Sequence, residues 1–457
     1  MAALLVVTLL AACQGLAACQ GDVGTIGLTI VTAPGSDVME SVQTARLTLS
    51  DPLKIIEAER DGDGNLTLDL EVLADGQNAF VRFEGFDDAG ALVAVGVTPL
   101  LPIAAIDAEI KIYVATPGSL AEAPVELAGA PRTDIGVTLL GFGVLYAGGR
   151  DGSGAATSDV VIYNAYDHTF QIGEDLPAAR ANPAIATGAN GQVFMFGGFD
   201  STDTASSQLW RFDTTVAPSG FYYDMLSKEE FARGGATTAQ VGTDLFIVTG
   251  DPVLAIDGIG GGMEEYEPAS ELTFDGAVAA SILFSNRLHT LVAGTNVSST
   301  GSVLISDNVV SDIANSPAEM ARDGHAVVIL GNGDFLVVGG ENAVTGPLTS
   351  AVRFDAIMKD FTILPDLLQT ARTEAAIASS GSFVIVAGGV DDLDELVTDA
   401  EIYDANTLAL VGTVPMVVPR RGATATALPN GQIIIVGGLD AAGDPIATVE
   451  LFTPSLQ

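Results

Sequence analysis

The chain has 457 residues, of which 58 are acidic and 18 basic, for a formal net charge of −40. A surface of that sign repels nucleic acid phosphates and anionic lipid headgroups, so neither is expected as a direct partner. Hydrophobic residues make up 48%, which excludes a disordered chain, and 52 glycines beside only 17% charged residues favour short strands and tight turns over helices.

From the N-terminus, residues 2–12, AALLVVTLLAA, are apolar apart from Thr8. The run is too short to span a bilayer as a helix and has the length of a signal-peptide core. The only two cysteines follow, Cys13 and Cys19, each preceded by Leu-Ala-Ala. This resembles the lipobox of bacterial lipoproteins, whose cysteine becomes the lipid-modified first residue of the mature chain. The resemblance implies that residues 1–21 are signal and anchor. It also implies an outer-membrane protein of the cell envelope, held to the membrane by lipid alone. No Lys or Arg precedes the apolar core. A start further upstream would favour Cys13; the start as given favours Cys19. Neither choice leaves a pair for an internal disulfide.

Residues 22–116 alternate apolar and polar positions in TIGLTIV, ARLTLS, LTLDLEV, AFVRFEGF and EIKIYVA, separated by turn-rich joints such as RDGDGN and DDAG. That pattern predicts a small antiparallel β-sandwich, immunoglobulin-like in class but without that family's disulfide and tryptophan. RDGDGN (60–65) has the oxygens of a calcium loop but Leu66 and Val72 where the loop needs Gly and a bidentate acid, so a hairpin turn is expected there. TPGS at 116–119 reads as the linker to residues 117–457.

The rest of the chain repeats. Apolar runs end in Gly-Gly at 148–149, 197–198, 339–340, 388–389 and 437–438, with weaker copies ending at Gly250 and Gly294. The steps between the last glycines are 49, 52, 44, 46, 49 and 49 residues. An aromatic stands fourteen residues after the last glycine in five copies: Tyr163, Phe212, Phe354, Tyr403 and Phe452; Tyr266 comes two residues late in the third. Asn-Gly at 190–191, 332–333 and 430–431 marks hairpins before the glycine pairs. Each repeat therefore reads as four strands, and seven copies near that length resemble kelch repeats forming a seven-bladed β-propeller. The third copy reads as carrying a Gly-rich insertion, DPVLAIDGIGGGMEEYEP. The kelch tryptophan is replaced by Phe170, Phe361 or Leu410, and the sole Trp210 stands elsewhere. The last repeat stops after three strands, so residues 124–128 are expected to supply a fourth beside 447–453 and close the ring.

Two polar series keep the repeat. An arginine opens six first strands: Arg132, Arg180, Arg233, Arg322, Arg372 and Arg421, or its neighbour Arg420. An acid follows the glycines in the same six copies: Asp151, Asp200, Asp251, Glu341, Asp391 and Asp440. Both series fall on one rim. Either the arginines ring a channel mouth and bind an anion, or each staples strands by pairing with a nearby acid. The fourth copy lacks both the arginine and the acid, which favours the staple. The acidic DDLDEL (391–396) reads as a solvated loop after the sixth glycine pair. His168, His289 and His325 lie far apart, and no HExxH, CxxC, Walker or GxSxG motif occurs, so no metal, cofactor or nucleophile is expected. Among kelch propellers, galactose oxidase needs a cysteine-linked tyrosine, and the repeats hold no cysteine.

The expected protein is therefore a monomeric, lipid-anchored propeller binding a protein or carbohydrate ligand through its loops. The rival readings are an enzyme acting on a sugar or small anion at the propeller mouth, similar to the sialic acid mutarotases, and a structural or adhesive envelope protein.

Overall fold

The computed structural model describes residues 6–9, 26–64, 66, 68, 78–102, 108–241, 245–258, 263–266, 277–284, 287–294, 300–306, 309–313 and 315–455. Cys13 and Cys19 lie outside them. The described residues form strands and three single 3-10 turns, arranged as many small sheets.

Beyond Gly118, seven four-stranded antiparallel arrays follow one another. The first is Gly136–Leu140, Gly143–Ala147, Val160–Asn164 and Thr169–Ile172, hydrogen-bonded in chain order. The next six begin at Ala184, Thr238, Val278, Asp323, Ala376 and Thr424; the fifth sheet carries a short extra pairing at Gly346–Pro347. The gradient of burial explains the sequence pattern. In sheet 1 the second strand is buried at every residue and the fourth is half-buried to exposed. A strand covered on both faces reads as a continuous apolar run, not as an alternation.

Each hydrophobic cluster joins two neighbouring sheets. Leu145 and Ile162 of sheet 1 pack with Met195 and Phe212 of sheet 2. Phe194 of sheet 2 packs with Phe246 of sheet 3, and the pattern continues pair by pair. Sheet 7 shares its core with sheet 1, through Ile434, Val436 and Leu451 against Val144, Tyr146 and Tyr163. Covering both faces of every sheet is the reason for this arrangement: a four-stranded sheet alone cannot bury its second and third strands.

The strand completing sheet 7 is Ser119–Glu122, paired antiparallel with Glu450–Thr453. It thus lies ahead of the expected 124–128 and begins at the last residue of the expected linker, 116–119. Residues 123 and 127 add only single bonds, from the Ala123 N–H to Val449 O and the Leu127 N–H to Ala447 O. Leu120 decides the register, because it is the residue whose side chain enters the core between sheets 6 and 7.

The third sheet corrects a second expectation. DPVLAIDGIGGGMEEYEP is no insertion; it contains that sheet's third and fourth strands, Val253–Asp257 and Met263–Tyr266. The link after Gly250 has shrunk to a few residues. Ile256, opposite Phe246, therefore holds the place of the repeat aromatic, while Tyr266 pairs with Val253 on the outer strand. The Asn-Gly turns also differ among themselves. Asn190 and Gly191 both have positive φ, as a two-residue hairpin demands, whereas at 332–333 and 430–431 only the glycine does. There the asparagine side chain accepts a bond from the N–H two residues on, Asp334 or Gln432.

Before the ring, Lys54–Glu59, Thr44–Leu49, Val81–Phe86 and Leu92–Val97 form an antiparallel sheet. A second sheet contains Val6–Leu9, Ile26–Val31 and Ala108–Tyr113. The last two strands pair in parallel, against the expectation of an antiparallel unit. The two sheets enclose one core, with Leu28, Ile110 and Ile112 facing Ala45, Leu47 and Phe83. Of LTLDLEV only Leu66 and Leu68 are described, both buried. RDGDG (60–64) forms a turn closed by the Gly64 N–H to Asp61 O, with Arg60 Nη1 donating to Gly64 O at 2.6 Å; Asn65 lies outside the described residues. This unit rests on sheets 1 and 7. The Lys111 N–H donates to Tyr166 O, the Tyr166 hydroxyl to Leu100 O, and Asn430 Nδ2 to Val97 O.

Candidate functional site

The glycine pairs sit where one sheet meets the next. The N–H of Gly149, Gly198, Gly340 and Gly389 donates to the backbone carbonyl of Arg180, Arg233, Arg372 and Arg420 respectively, each in the following sheet. A Cβ on Gly388 would stand 2.3 Å from Arg420 O, at a φ of +62°. Only glycine combines that conformation with that approach.

The arginine side chains turn inward at the same place. Arg132, Arg322 and Arg372 are 0% exposed and Arg420 is 1%. Arg420 Nη1 donates to Gly437 O at 3.0 Å and Thr448 O at 2.8 Å, and its Nη2 to Glu450 Oε1 at 2.8 Å. Arg372 reaches Gly388 O, Asp399 and Glu401 Oε1 in the same way. Arg322 holds Gly339 O and Ser350, Arg233 holds Thr249 O, and Arg132 pairs with Asp159 at 2.8 Å. Arg180 donates to Gln208 and lies 4.8 Å from the centre of the Trp210 ring. The guanidiniums of Arg322, Arg372 and Arg420 thus tie the end of the second strand to the start of the third within their own sheets, while Arg132 and Arg180 hold the start of the third and Arg233 the end of the second. Burial pushes the Arg322 pKa down to about 10, which leaves it charged at neutral pH.

Two features of the rim differ from the expectation. In the seventh sheet the buried clamp is Arg420; Arg421 is 36% exposed at its side chain, with Glu374 at 4.0 Å. The Gly389 N–H donates to the carbonyl of Arg420, so the chain places that residue, and not its neighbour, over the sheet. For Arg132, Arg372 and Arg420, moreover, the carboxylate partner is not the acid after the glycines but one at the start of the third strand. Glu401 also accepts from the N–H groups of Gln369 and Thr370, and Glu450 from those of Val417 and Val418, which pins the chain entering the arginine. The signal was available: Asp159, Gln208, Ser350, Asp399 and Thr448 all fall ten residues after the last glycine.

The acids after the glycines serve their own loops. Asp151 accepts from the Ser153 N–H and hydroxyl and the Ala155 N–H; Asp200 does the same with Thr202 and Thr204. These bonds hold both carboxyls below the usual range. Asp391 accepts from Leu393 and Glu395, and Asp440 from Ala442 and Asp444. Asp251 is exposed, and Glu341 lies in a strand opposite Asp323 and Pro347.

The first strands, which touch from sheet to sheet, carry uncharged side chains apart from Asp323 and His325, their ionisable groups. Thr138, Thr187 and Gln240 bond to one another across sheets 1 to 3. All three histidines are buried. His168 shares a 2.6 Å bond with the Tyr163 hydroxyl, and His325 Nε2–H donates to Ala293 O. No group of three or more potential metal ligands occurs among the described residues. One open cleft lies between the loops of sheets 6 and 7. A cleft of about 760 Å³ there is lined by Asp394, Glu395, Leu396, Val418 and Arg421.

No family model matches the chain. The chain is similar to an F-box/kelch-repeat protein of Arabidopsis thaliana, 31% identical over 121 residues, which is 26% of this chain and 31% of that protein. The chain thus spans about a third of the length of the curated relative it matches. Together with the succession of small antiparallel sheets, this supports kelch-like repeats in an all-β protein.

Proposed function

We propose that this protein is an exported, lipid-anchored and monomeric seven-bladed propeller of kelch type. In this reading it binds a protein or carbohydrate partner through the loops of one rim. An immunoglobulin-like sandwich, residues 22–116, carries the ring. The observation that carries the reading is the division of labour on the rim. The buried arginines are engaged by side chains and backbone of their own sheets, while the loops after the glycines project capped but uncovered. The cleft beside Arg421, with Leu393 71% exposed nearby, is the place where a partner meets shape and charge together. The doubled LAAC supports the anchor. Val6–Leu9 pairs with only one edge of Ile26–Val31, so cleavage before either cysteine leaves the parallel pairing with Ala108–Tyr113 in place.

Two measurements test this. Mass spectrometry of the mature N-terminus is expected to find a diacylated Cys13 or Cys19; an unmodified Met1 refutes the anchor. Cross-linking pull-down from envelope extract is expected to capture a partner that is lost with Asp394→Ser, Glu395→Ser and Arg421→Ala combined. Equal capture by that variant places binding elsewhere than on this rim.

A further inference from the structure

A second cleft, of about 440 Å³, lies between the first unit and the loops of sheets 6 and 7, and its charge runs against that of the molecule. Its walls are Phe80, Val95, Val97, Leu100, Phe383 and Pro454, with neutral polar residues at the edges. The one charged residue among those lining it is Arg82. In a chain with 58 acids and 18 bases, a concave surface with a guanidinium and no carboxylate is conspicuous.

Arg82 sits on Val81–Phe86, opposite Thr48 and Val97. Its neighbours Val81 and Phe83 enter the core, so Arg82 faces the other way. On the same sheet Arg46 meets Glu57 at 2.7 Å and Glu84 at 4.0 Å. Arg82 has no such partner among the described residues: its Nε is buried without a hydrogen bond, and its guanidinium lies 5.7 Å from the centre of the Phe80 ring. The amides nearby are already engaged, Asn430 with Val97 O and Gln432 with Thr453. The charged donor left over in the cleft is therefore one guanidinium, set among aromatic and aliphatic walls and beside the hydroxyls of Thr98, Ser380, Ser382 and Ser455.

We propose that this cleft binds a small organic anion, a carboxylate on an aromatic or branched apolar body, with Arg82 as its counter-ion. A cleft of this volume suits a small ligand, and few well-placed polar groups in an apolar wall are what orient one. Arginine offers parallel N–H donors that match a carboxylate. The surrounding net charge repels anions in general, so an anion held here is held locally. The proposal is independent of the partner assigned to the loop rim.

The test is calorimetric titration of the full chain at pH 7 with 4-phenylbutanoate, and with its neutral amide as reference. The acid is expected to bind at least about tenfold more tightly than the amide. Arg82→Gln is expected to bring the acid down to the level of the amide, while Arg82→Lys retains part of the difference. Arg421→Gln, on the loop rim, leaves both affinities unchanged. Failure of the acid to bind the unaltered protein, or equal affinity for acid and amide, overturns the proposal without any variant. An Arg82→Gln protein that folds and binds the acid as before overturns it too. Loss of acid binding in Arg421→Gln moves the anion to the rim and likewise overturns it.

Discussion

Glu450 and Arg420 are both buried, at 0% and 1% exposure, and each satisfies the other along with several backbone groups. Such a pair adds little relative to a well-packed apolar substitute, yet removing one member leaves a buried charge alone. Glu450→Gln is therefore expected to cost about 3 kcal/mol in denaturant unfolding, and Arg421→Ala less than about 0.5 kcal/mol. Equal effects at the two positions would contradict the assignment of Arg420 as the clamp. His325 makes a second prediction. Burial lowers its pKa from 6.5 to about 4, so the unfolded chain takes up its proton first as the pH falls. The sign follows directly: stability is whole above about pH 6.5 and is lost on acidification toward pH 4, by roughly 3 kcal/mol for this residue. His168, lowered to about 3, acts in the same direction. His325→Gln is expected to flatten the acid side of the stability–pH curve, measured by the thermal midpoint from pH 7 to 4; an unchanged curve would place the titration elsewhere.

At the level of elements, the glycine pairs carry the junctions between sheets. Gly388→Ala brings a Cβ to 2.3 Å from Arg420 O at positive φ. It is expected to cost more than the 1–2 kcal/mol of the left-handed conformation alone, whereas Gly412→Ala, in open space, stays within about 1 kcal/mol. Thermal midpoints of the two variants decide it. Much of this layer was legible beforehand. The runs ending in Gly-Gly, the aromatic fourteen residues on in five copies and the arginine before six first strands are all periodic, and outside the third sheet the second and third strands fall where that period puts them. Phe170 and Phe361, read as stand-ins for the kelch tryptophan, pack on Tyr163 and Phe354 at 5.2 and 4.8 Å. What escaped were the places where the period is broken or too fine. The third sheet shortens its link after Gly250, so its aromatic position passed to Ile256 and the count of residues misled. The choice between Arg420 and Arg421 is a shift of one residue, and spacing alone tolerates both. Lys54–Glu59 and Leu92–Val97 went unremarked, the first because its half-buried face holds Lys54, Ile56 and Ala58 and looks polar.

For the whole molecule, closure rests on Ser119–Glu122 against Glu450–Thr453, strands about 330 residues apart, and on the core shared by sheets 7 and 1. Ala121→Pro removes a donor at that seam. It is expected to lower the thermal midpoint and to open the segment after Glu450 to limited proteolysis; cleavage first at the sheet 3 or sheet 4 loops would mean that the seam is not the weak point. The amino-acid sequence by itself determined the β class, the repeat period and the arginines of six copies, because each depends on local periodicity and on which residue types tolerate burial. Only the tertiary structure decided which strand completes sheet 7, which acid each arginine meets and which arginine stays outside. Those are contacts between residues far apart in the chain, chosen by register and packing that no local spacing encodes. The cleft at Arg82 belongs to the same class. Its walls come from residues 80–100, 380–383 and 429–455, and only folding brings them around one guanidinium.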